Sequence, residues 1–172
     1  MFLRIVTTAF LLGSLNGELY AQNSVTLNVN LYPIQTLVVN PSQKVVNLEY
    51  NTREDYSNGV LSEQQDHLTI YSTGGFQVKI SAETAADDNG LLDNITVIPA
   101  SGSNPLNQSH VVYTNKKINQ KEQPIISATK GAINKNVNIS YKGESNDALI
   151  EFAKSNKDVS HTYTVVYTIV SQ

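Results

Sequence analysis

The residues best suited to metal or acid–base chemistry are three histidines, His67, His110 and His161. Each begins or closely precedes a run of apolar residues, so strand ends could bring the three together, and converging imidazoles bind zinc. No HxH, HxxxH or HExxH spacing joins them, and three separate histidines on the rim of a β-fold is the simpler expectation. Oxygen ligands gather at Asp87-Asp88-Asn89-Gly90, with Asp93 beyond. Asp87, Asn89 and Asp93 are therefore the candidate calcium ligands. The spacing is not that of an EF-hand and no Glu closes the loop, so a solvated acidic loop competes with the metal reading.

Nucleophilic chemistry finds little support. There is no Cys, no G-x-S-x-G elbow and no Gly-rich phosphate loop. Glu54 and Asp55 are adjacent, so on a strand they would face opposite ways. The chain reads as non-enzymatic and without a cofactor. Asn94-Ile95-Thr96, Asn107-Gln108-Ser109 and Asn138-Ile139-Ser140 match the glycosylation pattern, which an Asn-rich chain also produces by chance. Tyr32, Tyr56 and Tyr113, placed near predicted turns and loops, are the aromatics that would stack on a sugar ring.

The address comes from the first residues. Arg4 precedes a mostly apolar Ile5–Leu15, too short to cross a hydrocarbon core of about 30 Å, and Leu19-Tyr20-Ala21 suits a signal peptidase. Residues 1–21 read as a secretory signal peptide, which leaves a domain over 22–172 and no stable membrane span after cleavage. An exported product in the periplasm, at the cell surface or outside the cell is the expectation. The mature chain has 172 − 21 = 151 residues, enough to bury about two-thirds of its unfolded surface without a disulfide. A net charge of −3 supplies no basic patch for nucleic acid.

The elements are read from period-two alternation. Val25, Leu27, Val29 and Leu31 alternate with polar residues up to Pro33, and the run resumes at Gln35–Val39. Val45–Tyr50 is a further strand. His67–Thr73 and Phe76–Ser81, joined by Gly74-Gly75, read as a hairpin with a primed turn, with Leu68, Ile70, Ser72, Phe76, Val78 and Ile80 in the core. Ile95–Ile98, His110–Thr114, Ile125–Thr129 and Asn136–Tyr141 follow, the last two as a second strand pair. Asn51–Asp66 reads as polar with a turn at Ser57-Asn58-Gly59. The one helix expected is short, Asp147–Lys154, capped by Ser145 or Asn146. Thr162–Val170 is the clearest strand, with Tyr163, Val165, Tyr167 and Ile169 on one face and both faces able to be covered. The fold class is all-β: a single antiparallel immunoglobulin-like β-sandwich of about eight to ten strands with one short helix near the C-terminus. A closed barrel is the alternative.

Three stretches together carry a resemblance: Val25–Leu31, Leu68–Ala82 and Tyr163–Ile169. Their pattern resembles that of exported bacterial surface β-sandwiches, above all pilin-type subunits of the chaperone–usher kind. The resemblance covers about a quarter of the mature chain and lacks the disulfide many such subunits carry. It implies assembly by donor-strand exchange, with an exported chaperone and an outer-membrane usher as partners. Val25, Leu27, Val29 and Leu31 would be the donor plugs and the terminal strand the recipient's edge. The same alternation also fits an ordinary first strand of a self-sufficient monomer.

The function expected is thus a non-enzymatic exported structural or adhesive surface protein, of fimbrial type if the resemblance holds. The alternative is an exported module that binds a surface glycan or the cell wall.

Overall fold

The computed structural model describes residues 23–83, 91–145, 149–150, 153–154 and 160–172. The signal-peptide reading of 1–21, Asp87 and Asn89 of the calcium reading, and half of the expected helix over 147–154 lie outside the described residues. Within that last segment, Leu149, Ile150, Ala153 and Lys154 are helical, and Leu149 is buried.

The chain divides into two compact units at Leu31/Tyr32. The described part of the first, residues 23–31, contains no strand. The second is an antiparallel β-sandwich. Its strands are β1 (Gln35–Val39), β2 (Val60–Ser72), β3 (Phe76–Glu83), β4 (Ile95–Ser101), β5 (Val111–Tyr113), β6 (Lys116–Lys117), β7 (Gln123–Ala128), β8 (Ala132–Gly143) and β9 (Thr164–Ser171). Sheet A has the order β1-β2-β8-β4-β6 and sheet B the order β5-β7-β3-β9. Period-two alternation sends one side chain in two to a shared core. Leu68, Ile70, Val97, Val137 and Ile139 come from sheet A, and Phe76, Val78, Ile80, Ile125 and Ile126 from sheet B.

The two expected hairpins take a different form. β2 belongs to sheet A and β3 to sheet B, so Gly74-Gly75 joins the sheets as an arch instead of closing a two-stranded ladder. Both runs keep their apolar faces inward, which an arch satisfies from opposite sides of the core. The primed turn is not formed: among described residues the one glycine with positive φ is Gly59. Gly75 allows a close approach, since a Cβ there would stand 3.1 Å from the Ala128 carbonyl oxygen, a tight contact. The pair Ile125–Thr129 and Asn136–Tyr141 is likewise split between β7 in sheet B and β8 in sheet A.

Four further expectations are corrected. Residues 24–31 form no strand, and the sandwich begins its ladder at Gln35. Residues 45–50 join no ladder either, although Val46 and Leu48 pack on the core while Val45 is exposed. The polar stretch over 51–66 holds a six-residue helix, α1 (Arg53–Asn58), and the first half of β2. Its start is a capping box, with the Thr52 Oγ1 accepting from the Asp55 N–H and Asp55 accepting from the Thr52 N–H. Its end is Gly59, at φ 79, where a Cβ would fall 2.3 Å from the Gly143 carbonyl oxygen. β4 also continues through Pro99 to Ser101, because β6 pairs only with Thr96 and Val97. The missing N–H of Pro99 falls beyond that short partner.

Candidate functional site

An alternating apolar strand normally buries one face; the N-terminal run does not. Val25, Leu27, Val29 and Leu31 are 93, 83, 68 and 87 % exposed. Thr26, Asn28 and Asn30 between them give the segment the composition of a half-buried strand, yet its backbone belongs to no sheet. Four β-branched or Leu side chains at alternate positions, if drawn out as a strand, form a ready-made plug for an apolar groove.

An edge that could receive such a plug stands at the other end of the chain. β9 is the outer strand of sheet B, paired with β3 from Phe76↔Ser171 to Glu83↔Thr164, and no strand among the described residues is hydrogen-bonded to its other side. The reading of both faces as covered, as in a strand inside a sandwich and not at an edge, is therefore corrected, while the edge position implied by the resemblance and the strand's inward face are as read. Tyr163, Val165, Tyr167 and Ile169 pack against the core, but each of the residues from Val165 to Val170 remains half-exposed. The strand is long, free of charge and of Pro, and β1, the edge strand of sheet A, lies beside it. Natural edges are usually blunted by charge, Pro or a bulge, and β9 carries none of these.

One tie crosses from sheet A to this edge. A register shift between Gln64 and Leu68, with Asp66 at φ 50, bulges β2 and turns both His67 and Leu68 inward. His67 is thereby 2 % exposed, not on a rim. Its Nδ1 lies 3.0 Å from the Gln43 Oε1, and its Nε2 lies 3.1 Å from the Tyr141 hydroxyl. The Tyr141 hydroxyl is in turn 2.6 Å from that of Tyr167 on β9. Both tyrosine rings meet the imidazole edge-on, with centroids 5.8 and 5.9 Å away. Burial holds the His67 pKa below the usual histidine value. Burial also raises both phenols, Tyr167 most, so they stay neutral at ordinary pH. Nothing in the local spacing around His67 signals this network, because its inward turn depends on the bulge.

The other candidate residues are dispersed. Tyr32 is exposed. Tyr56 lies on α1 with its ring 5.3 Å from that of Tyr50. Tyr113, on β5, packs against the core. Asp93 sits exposed in a 3-10 turn over Leu92–Asn94. No three His, Asp or Glu side chains among the described residues gather in a way that would hold a metal. Of the sequon asparagines, Asn138 is structural. Its Oδ1 accepts from the Asp66 N–H at 2.7 Å, and its Nδ2 donates to the Ser101 carbonyl at 3.0 Å. Asn107 caps a 3-10 turn by accepting from the Ser109 N–H. An open cleft of about 570 Å³ lies between residues 47–55 and 59–61. The Asp55 carboxylate on its wall is engaged in the helix cap. No helix among the described residues is long and apolar enough to cross a membrane.

No protein-family model matches this chain, and no curated protein is similar to it.

Proposed function

We propose that this protein is a non-enzymatic, exported structural or adhesive subunit that assembles by strand addition, residues 24–31 of one copy pairing with the open edge of β9 in the next. The observation that carries the reading is a mismatch. A segment with the alternation of a core strand exposes its whole apolar face, while the sandwich ends sheet B on a long, apolar, unblunted edge. Backbone hydrogen bonds along β9 would supply affinity, and Val25, Leu27, Val29 and Leu31 would supply register. Burying four such side chains contributes on the order of 6–12 kcal/mol before the costs of association and ordering are subtracted. Residues 45–50 add to this support: they pack Val46 and Leu48 on the core but leave their backbone outside any ladder.

An exposed plug and an open edge on one chain also invite premature pairing and aggregation. A capping partner in the exported compartment, of the chaperone–usher kind that the sequence resembles, fits that need. The test is a peptide spanning residues 23–32 added to protein lacking residues 22–31. Saturable binding with new amide protection along 164–171 is expected, and a peptide carrying Leu27→Asp and Val29→Asp should not bind. Absence of binding by the natural peptide would overturn the reading.

A further inference from the structure

The hydrogen-bond chain on His67 has a direction that can be assigned atom by atom. Gln43 donates its Nε2 to the Gln65 carbonyl at 2.9 Å, so its Oε1 faces His67 as an acceptor. The imidazole therefore carries its proton on Nδ1, and Nε2 accepts from the Tyr141 hydroxyl. The Tyr141 oxygen is left to accept from the Tyr167 hydroxyl. In this arrangement every O–H and ring N–H has a partner, and the last bond ties edge strand β9 to sheet A.

A second ring proton reverses this order. Nε2 becomes a donor to the Tyr141 oxygen, and the Tyr141 hydroxyl must either donate onward to the Tyr167 oxygen or lose its partner. Either way one O–H is left without an acceptor among the described residues, next to the buried side chains of His67 and Tyr141. We propose that His67, Tyr141 and Tyr167 form a proton-operated latch between the sheets: protonation of His67 releases β9 and loosens the edge that accepts the arm. The last clause rests on the strand-addition reading; the latch itself does not.

The groups facing the ring support this assignment. Gln43, before β2, is uncharged; Tyr141 on β8 and Tyr167 on β9 are neutral phenols held well into their protonated form by burial. The nearest carboxylate along the chain, Asp66, is occupied by Ser103, whose N–H and Oγ donate to it at 2.8 and 2.6 Å. No carboxylate among the described residues contacts the imidazole to stabilise its cation. Burial lowers the ring's pKa in the folded state. The folded form then binds fewer protons than the unfolded one below the ordinary histidine value of about 6.5. The stabilisation is complete above that pH and is lost as pH falls.

The test is amide hydrogen exchange on the wild-type protein at pH 7.5 and 5.0, corrected for intrinsic rates, comparing residues 164–171 with their neighbours at 76–83. The latch predicts that protection over 164–171 falls severalfold more than over 76–83 on acidification. His67→Gln and Tyr167→Phe should each abolish that difference. Tyr167→Phe keeps the ring in the core, so it serves if His67→Gln does not fold. Equal loss in both segments would mean ordinary acid destabilisation and would overturn the latch, as would a strand-specific loss that survives in Tyr167→Phe. Binding of the 23–32 peptide, followed in parallel at pH 7.5, reports on the acceptor role alone, so the two ideas fail separately.

Discussion

At the scale of single residues, the core is set by which parity of each strand points inward. Val78 is fully buried between its neighbours on β3, whereas Gln77 faces out and is half-exposed. Val78→Asp places an unpaired carboxylate in the interior, at a cost of several kcal/mol against a total stability of ~5–15 kcal/mol. It is expected to unfold the domain. Gln77→Asp should lower the melting temperature far less, and equal melting temperatures would show that the register is misassigned. His67 follows a different logic. Its position on the outward parity of β2 suggests an exposed or rim residue, and only the bulge at Asp66 turns it inward.

At the scale of elements, most strands of the sandwich were legible and their partners were not. Alternation marks each run from Leu68 to Ile80 correctly as half-buried, and all six of Leu68, Ile70, Ser72, Phe76, Val78 and Ile80 are buried. A hairpin and an inter-sheet arch present the same inward pattern, however. What separates them is the path of the connection, and Gly74-Gly75 serves either. Helix α1 escaped notice because it has no apolar stripe; its signal is the Thr52–Asp55 capping box alone. Residues 24–31 mislead in the opposite sense: they have the pattern of a strand but no sheet within their own described structure.

The β2 bulge that creates the inter-sheet tie is itself held by Asp66. Its N–H donates to Asn138 on β8, and its carboxylate accepts twice from Ser103 just after β4. The two bonds from Ser103, the hydroxyl first, lower the Asp66 pKa. The folded value is depressed, so the stability it contributes is present above the ordinary carboxylate pKa of about 3.9 and lost as pH falls below it. Asp66→Asn should therefore melt below wild type at pH 7, with the gap closing toward pH 2. A gap of constant size across that range in thermal melts would remove the carboxylate from the account.

At the scale of the whole molecule, the sandwich explains its own stability without residues 22–31. Its core draws on both sheets from Leu37 to Ile169, and among the described residues none of the buried apolar side chains comes from the N-terminal run. The donor and ordinary-strand readings of that run, indistinguishable in the sequence, therefore make opposite demands on one experiment. Residues 22–31 are deleted from the mature chain, and thermal stability and self-association are measured on the same sample. Strand addition predicts a melting temperature within a few degrees of wild type together with loss of assembly. A collapse of the melting temperature, or assembly that persists without the segment, would contradict it.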